Sequence, residues 1–331
     1  MDKPPSALGR AVASTSLNLF VLFLASFLVR RAWVNDGLFE HDSVKLAQAM
    51  EATYETGRLQ PVEYFADKVG GRHGLVLVNL PLYAGYRAIT GRVSSEHILL
   101  VSAALFGSLA VCLLYLIVER LRFGVPPLGG VPEARLKAEL QTRRLKAELP
   151  TGLPTTAAFG AGLMFSASPI FLSVSTGAKD HALSAFLAAL AMSLLLGART
   201  RGGLVAASAA LGLGPLVRDT NVSLVLPYAL AFVWLRRGER RAQDVACAFA
   251  PAVVMIALAM WLQREWLAAM VGYHTFRGVW SAQTPMALGA LSRGFGLIGW
   301  ALVVCGLVEL RRRWGWAAIA VMAAWFLPEF I

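Results

Sequence analysis

Apolar and polar positions alternate along this chain in long blocks. Apolar runs near the length that crosses a hydrocarbon core of about 30 Å occupy residues 16–34, 97–118, 153–174, 181–198, 245–262, 294–310 and 315–331. Two shorter runs, 203–217 and 221–235, lie back to back and predict a tight hairpin with Arg218 and Asp219 at its tip. Between the first two long runs the pattern changes. From Asp42 onward, Val44, Leu46, Ala47, Met50 and Tyr54 recur at helical spacing, with Lys45, Gln48, Glu51 and Glu55 between them, and Gly57 ends the series. This predicts an amphipathic helix whose apolar stripe can lie in a membrane interface. The whole pattern predicts an all-α, polytopic transmembrane helix bundle of about nine spans. It forms one domain over 1–331, with an interfacial helix in the first loop.

Composition agrees with that class. The chain is 57% apolar and only 15% charged, and its mean hydropathy is +0.59, outside the range of soluble domains. Lys3 and Arg10 precede the first apolar run as they would in a signal peptide, but no small-x-small cleavage site follows, and Arg30 and Arg31 come instead. The run therefore reads as an anchor. The net charge of +11 would suit nucleic acid in a soluble protein; in a membrane chain it reports orientation and contact with anionic lipid, so no nucleic-acid partner is expected. Cys112, Cys247 and Cys305 all fall inside apolar runs without CxxC or Cys/His spacing, and read as core residues with no disulfide or metal role.

Short loops rich in Lys and Arg stay in the cytoplasm. Arg199 and Arg201, Arg236 to Arg241, Arg311 to Arg313 and the basic segment 119–153 are such loops. Assigning them to the cytoplasm, with the N-terminus inside, makes the spans alternate without conflict. Residues 35–96, 175–180, 218–220 and 263–293 then meet on the extracytoplasmic face of a multi-pass protein of the cell membrane. The connector 119–153 contains "ARLKAEL" and "RRLKAEL", an echo that suits a short amphipathic helix in a solvated segment.

The outward loops hold the candidate chemistry. Glu40, His41 and Asp42 follow the first run directly; Lys179, Asp180 and His181 form a charged triplet in a loop of a few residues; Arg218 and Asp219 mark the hairpin tip; Arg72 and His73 lie in the first loop. Ionisable groups at membrane depth are costly and tend to line a pathway or a site. The competing reading of Asp42 is a helix cap, satisfying free N–H groups in the first turn, and single basic residues also serve as interfacial anchors.

The order of these segments resembles a family. "HDSVKLAQAMEATYETG", "NLPLYAGYRAITG", "SASPIFLSVSTGAKDHALSAFLAALAMSLLL" and "LGLGPLVRDTNVSLVLPYAL" are similar, in sequence order, to segments of the GT-C glycosyltransferases that use polyprenyl-phosphate sugars, among them protein O-mannosyltransferases and lipid A aminoarabinose transferases. The resemblance covers residues 16–240, and the chain closes on "MAAWFLPEFI", as a short or incomplete member would. It implies a sugar donor on a polyprenyl phosphate, a hydroxyl acceptor on protein, lipid or glycan, and inversion at the sugar carbon. Asp42 is then the candidate base, Glu40 and Asp180 orient the acceptor or hold a divalent cation, and His41, Arg72, His73, Lys179, His181 and Arg218 bind substrate, Arg218 foremost at the lipid phosphate. The alternative is a multi-spanning transporter or lipid flippase, but no internal repeat links the two halves and the charges gather at one face.

Overall fold

In the computed structural model the residues described are 7–33, 41–63, 70–92, 95–122, 152–176, 180–236, 241–269, 301, 303–312 and 315–326. They are almost entirely helical. In chain order the main elements are α1 (Ala7–Trp33), α2 (His41–Thr56), a two-residue antiparallel ladder of β1 (Val62–Glu63) with β2 (Gly70–Gly71), α3 (His73–Thr90) and α4 (Ser95–Arg122). They continue with α5 (Gly152–Ser166), α6 (Pro169–Thr176), α7 (His181–Gly197), α8 (Arg201–Val217), a 3-10 helix (Asp219–Leu224), α9 (Val225–Leu235), α10 (Ala242–Leu262) and α11 (Trp316–Phe326). The expected helix of the 119–153 connector, Glu40 and Lys179 lie outside the described residues.

Among the described residues three helices are long and apolar enough to cross a membrane: Ser14–Trp33, Ser95–Leu121 and Ala242–Leu262. His181–Gly197, Arg201–Val217 and Asp219–Leu235 are apolar but shorter. The run expected as a single span at 153–174 is broken between Ser166 and Pro169, because Pro169 has no N–H to continue the ladder and pushes Ser168 away from helical geometry.

Helices α4, α7, α8 and α10 form the centre, with α4 on α7, α7 on α8 and α8 on α10, while α1 and α5 cover α4. Close approach of α8 and α10 depends on a small residue, as is common where lipid gives no hydrophobic drive to association: a Cβ on Gly212 would lie 2.8 Å from the Met255 Cβ and 2.9 Å from the Ala252 Cα. The runs expected as a tight hairpin do reverse direction, since Arg218 meets Asp180 at one end and Arg236 meets Asp244 at the other. They do not pack on each other, however: α8 lies against α7 and α10, whereas α9 lies chiefly against α11.

The two ends of the bundle differ. At one, Arg201 and Arg236 hold Asp244 at 3.2 and 3.7 Å, and Arg120 of α4 bonds the Ser193 carbonyl of α7. At the other, α2 and α3 cover the ends of α4, α7 and α8, sharing a core of Leu46, Met50, Leu75, Val76, Leu99, Leu183 and Val217. Along the expected α2 stripe, Leu46, Ala47 and Met50 are buried where the helix packs on α3 and α4, while Val44 and Tyr54 remain exposed at 38% and 39%. A buried cation also lies near this end: Arg30 of α1 donates from Nε to Ser175 Oγ at 2.8 Å and stacks 4.7 Å from the Phe171 ring. It thereby fastens α1 to α6, near the carbonyl ends of both helices, where a positive charge is favoured.

Candidate functional site

At the α2/α3 end, segments distant in sequence converge on Asp180. This carboxylate, 2% exposed, immediately precedes α7 and has no side-chain capping bond to it. Two guanidiniums face it instead: Arg72 at 3.4 Å and Arg218 at 3.8 Å. The neighbouring His181 lies 4.0 Å from Asp180 through Nε2 and receives Arg218 at Nδ1. Arg72 and Arg218 remain 18% and 23% exposed, so the carboxylate is sealed beneath cations that solvent can still reach. Guanidiniums are planar forks whose geometry suits a phosphate or another anion.

Each cation is held by the fold. Arg72 adopts φ 56° and ψ 35°, the left-handed region that costs a non-glycine residue roughly 1–2 kcal/mol. Its N–H donates to Gln263 Oε1 at 2.9 Å, and Gln263 Nε2 donates to the Pro215 carbonyl at 3.0 Å. Gln263, itself 2% exposed, thus joins the end of α10 to α8 and the first loop. The Arg72 guanidinium also lies 5.9 Å from the Trp266 ring centroid. Gly71 permits this approach, since a Cβ there would come within 2.7 Å of Trp266 Cγ. Arg218 is steadied by Thr220 Oγ1, which accepts from its Nε at 2.9 Å. The 3-10 helix that follows is tied to α7 by Ser184 Oγ donating to Asn221 Oδ1 at 2.8 Å.

Of the residues singled out in the sequence, Arg72, Asp180, His181 and Arg218 are therefore assembled into one cluster. His73 opens α3 beside it; its Nδ1 is buried without a hydrogen-bond partner, and burial holds its imidazole below the usual value of 6.5. His41 and Asp42 form the first residues of α2, the helix that packs on α3 and α4 at this end. Among the described residues no group of three His, Cys, Asp or Glu is gathered as metal ligands, and an Asp180 that already faces two guanidiniums is poorly disposed toward a divalent cation. Gln263, Trp266 and Thr220 were not singled out in the sequence. They are uncharged; Gln263 and Trp266 act through contacts with Arg72 across long stretches of chain, and Thr220 through its contact with Arg218 two residues away.

The cluster can fix an anion beside the ends of apolar helices, with the carboxylate setting the direction of both guanidiniums. Set against protein-family models and against curated proteins, the chain matches none.

Proposed function

We propose that the chain is a multi-pass membrane glycosyltransferase of the GT-C type, which moves a sugar from a polyprenyl-phosphate donor to a hydroxyl acceptor at the extracytoplasmic face. The observation that carries this reading is the pair of partly exposed guanidiniums, Arg72 and Arg218, held on the buried Asp180 at 3.4 and 3.8 Å. In this reading about nine apolar segments traverse the bilayer, the N-terminus is cytoplasmic, and the Asp180 end faces outward, because the short arginine-rich loops belong to the opposite side.

The chemistry follows from those charges. The acceptor hydroxyl gives its proton to Asp42, and its oxygen bonds to the anomeric carbon of the sugar. The bond from that carbon to the lipid phosphate breaks, and the electron pair leaves with the phosphate. Attack opposite the leaving group inverts the sugar carbon. Negative charge grows on the phosphate in the transition state, so cations already fixed beside it lower the barrier. Arg218 and Arg72 supply those cations, and Asp180 acts as a positioning residue beneath them instead of as a base. A transporter or flippase would place its charges deep among the spans, whereas this cluster lies where helix ends meet loops.

Membranes containing the chain, offered a panel of polyprenyl-phosphate sugars, should release free polyprenyl phosphate from at least one of them in step with glycosylation of an acceptor. Consumption of none of the donors, with the folded protein present, would end the glycosyltransferase reading.

A further inference from the structure

We infer that two buried amides, Gln263 and Asn221, are positioning residues that fix the spacing of Arg72, Arg218 and Asp180 by clamping the last turn of α8, so that the anion site is built before a ligand arrives. The identity of that ligand, a lipid phosphate, rests on the function proposed above; the clamp itself rests on hydrogen bonds.

The last carbonyls of a helix lack intrahelical partners, and α8 ends one residue before Arg218, with Pro215 in its final turn. Both amides meet carbonyls of that turn through their NH2 groups. Gln263 Nε2 donates to the Pro215 carbonyl at 3.0 Å, and Asn221 Nδ2 donates to the Gly214 carbonyl at 3.2 Å. Each amide oxygen then holds a different neighbour. Gln263 Oε1 accepts the Arg72 N–H at 2.9 Å, and Asn221 Oδ1 accepts from Ser184 Oγ at 2.8 Å. Ser184 belongs to the turn that Asp180 opens, since its N–H donates to the Asp180 carbonyl at 2.8 Å. Gln263 therefore ties the turn before Arg218 to Arg72, and Asn221 ties it to Asp180.

Distance decides which contacts hold these positions. All four amide bonds are short enough to be direct hydrogen bonds, whereas the ion pairs at 3.4 and 3.8 Å are longer than the roughly 2.7–2.9 Å of a charged hydrogen bond. Asp180 thus turns the guanidinium tips, while the amides hold the backbone from which each arginine extends. Burial makes the clamp hard to release: Gln263 and Asn221 are 2% and 7% exposed, and a buried polar group is costly to leave without its partner. Packing leaves little slack, because a Cβ on Gly214 would come 3.1 Å from the Asn221 Cβ. A fully satisfied, uncharged network of this kind rigidifies a site, and cations fixed in advance meet developing charge without reorganising.

The test is binding of dodecyl phosphate to the full chain in micelles of a neutral detergent, measured by titration calorimetry. Asn221→Leu keeps the shape of the side chain, adds no charge and leaves the Arg72 link intact. It should weaken binding by about tenfold when Arg218 is present and by less than about twofold in an Arg218→Ala background, because a clamp that acts through Arg218 has nothing to hold once that guanidinium is gone. Gln263→Met should weaken binding in both backgrounds, since Arg72 loses its support as well. Ser184→Ala cuts the Asn221 link from the α7 side and should show the same dependence on Arg218; it decides the matter if Asn221→Leu does not fold. Wild-type affinity in these variants would overturn the inference. An equal loss for Asn221→Leu with and without Arg218 would overturn it too, since general loosening of the bundle produces that result. Failure of the folded wild type to bind dodecyl phosphate would overturn the anion site and the clamp together, while sugar release from the donor panel reads the transferase proposal separately.

Discussion

Replacing Asp180 by asparagine keeps the size of the side chain and removes the carboxylate that faces Arg72 and Arg218. Charges at the observed 3.4 and 3.8 Å attract by about 4–5 kcal/mol each at an effective dielectric of about 20. The burial of Asp180 at 2% exposure has already offset part of that attraction. Breaking a buried pair by removing one partner costs about 3–5 kcal/mol. Because the two guanidiniums keep some access to water, the lower end applies, and Asp180→Asn should destabilise the fold by about 3 kcal/mol, roughly a 150-fold change in the folded-to-unfolded ratio. The assay is unfolding in mixed micelles by titration with SDS, followed by tryptophan fluorescence. Combination with Arg218→Met should give a coupling of about 0.5–3 kcal/mol, since the two side chains are in contact. A loss below about 0.5 kcal/mol, the scale of an ordinary surface change, with no coupling, would refute the argument that Asp180 organises the two arginines.

Asp42→Asn should lower sugar transfer by about 10²-fold or more while the protein still folds and inserts, because asparagine retains cap preference but cannot take a proton; near-normal transfer per folded protein would leave Asp42 as a cap alone. Gln263→Met removes the acceptor for the Arg72 N–H and the donor to Pro215 and should cost about 1–3 kcal/mol; it should also raise the donor KM more than it lowers kcat, and unchanged values of both would show that Arg72 does not need this support. His73 has its folded-state value below 6.5 through burial, so the unfolded chain binds the proton more readily. Its contribution to stability is therefore complete above about pH 6.5 and is lost as pH falls through that value toward the lowered one. The unfolding midpoint of the wild type should drop more steeply below about pH 6.5 than that of His73→Gln, and parallel curves would contradict it.

The meeting of Arg72, Asp180 and Arg218 was legible because it needed only the alternation of apolar runs and the sidedness of basic loops. Alternation brings the loops at 35–96, 175–180 and 218–220 to one end whatever the details of packing. The destination of the α2 stripe was not legible. Helical spacing of Leu46, Ala47 and Met50 shows that one face is apolar, but lipid and a neighbouring helix satisfy that face equally well, and here α3 and α4 do so. The exposed side of α3 was hidden for a related reason: with apolar residues nearly all round, "GLVLVNLPLYAG" does not reveal which face is covered. Pro169 carried a local signal for the break between α5 and α6, yet the even hydropathy of 153–174 masks it. Gln263 and Trp266 offered no signal, since their value lies in contacts with Arg72 and Gly71, far away in sequence.

The central claim is that fixed guanidiniums hold a lipid phosphate as a sugar leaves it, and the most direct measurement is the rate of polyprenyl phosphate release as a function of donor concentration for wild type, Arg218→Ala and Arg218→Lys. Arg218→Ala should lose transfer by about 10²-fold or more, the scale of removing a charge-stabilising group from a transition state. Arg218→Lys should recover part of that loss, because a point charge remains while the planar fork is gone. Transfer at the wild-type level in both variants, with folded protein confirmed, would contradict it.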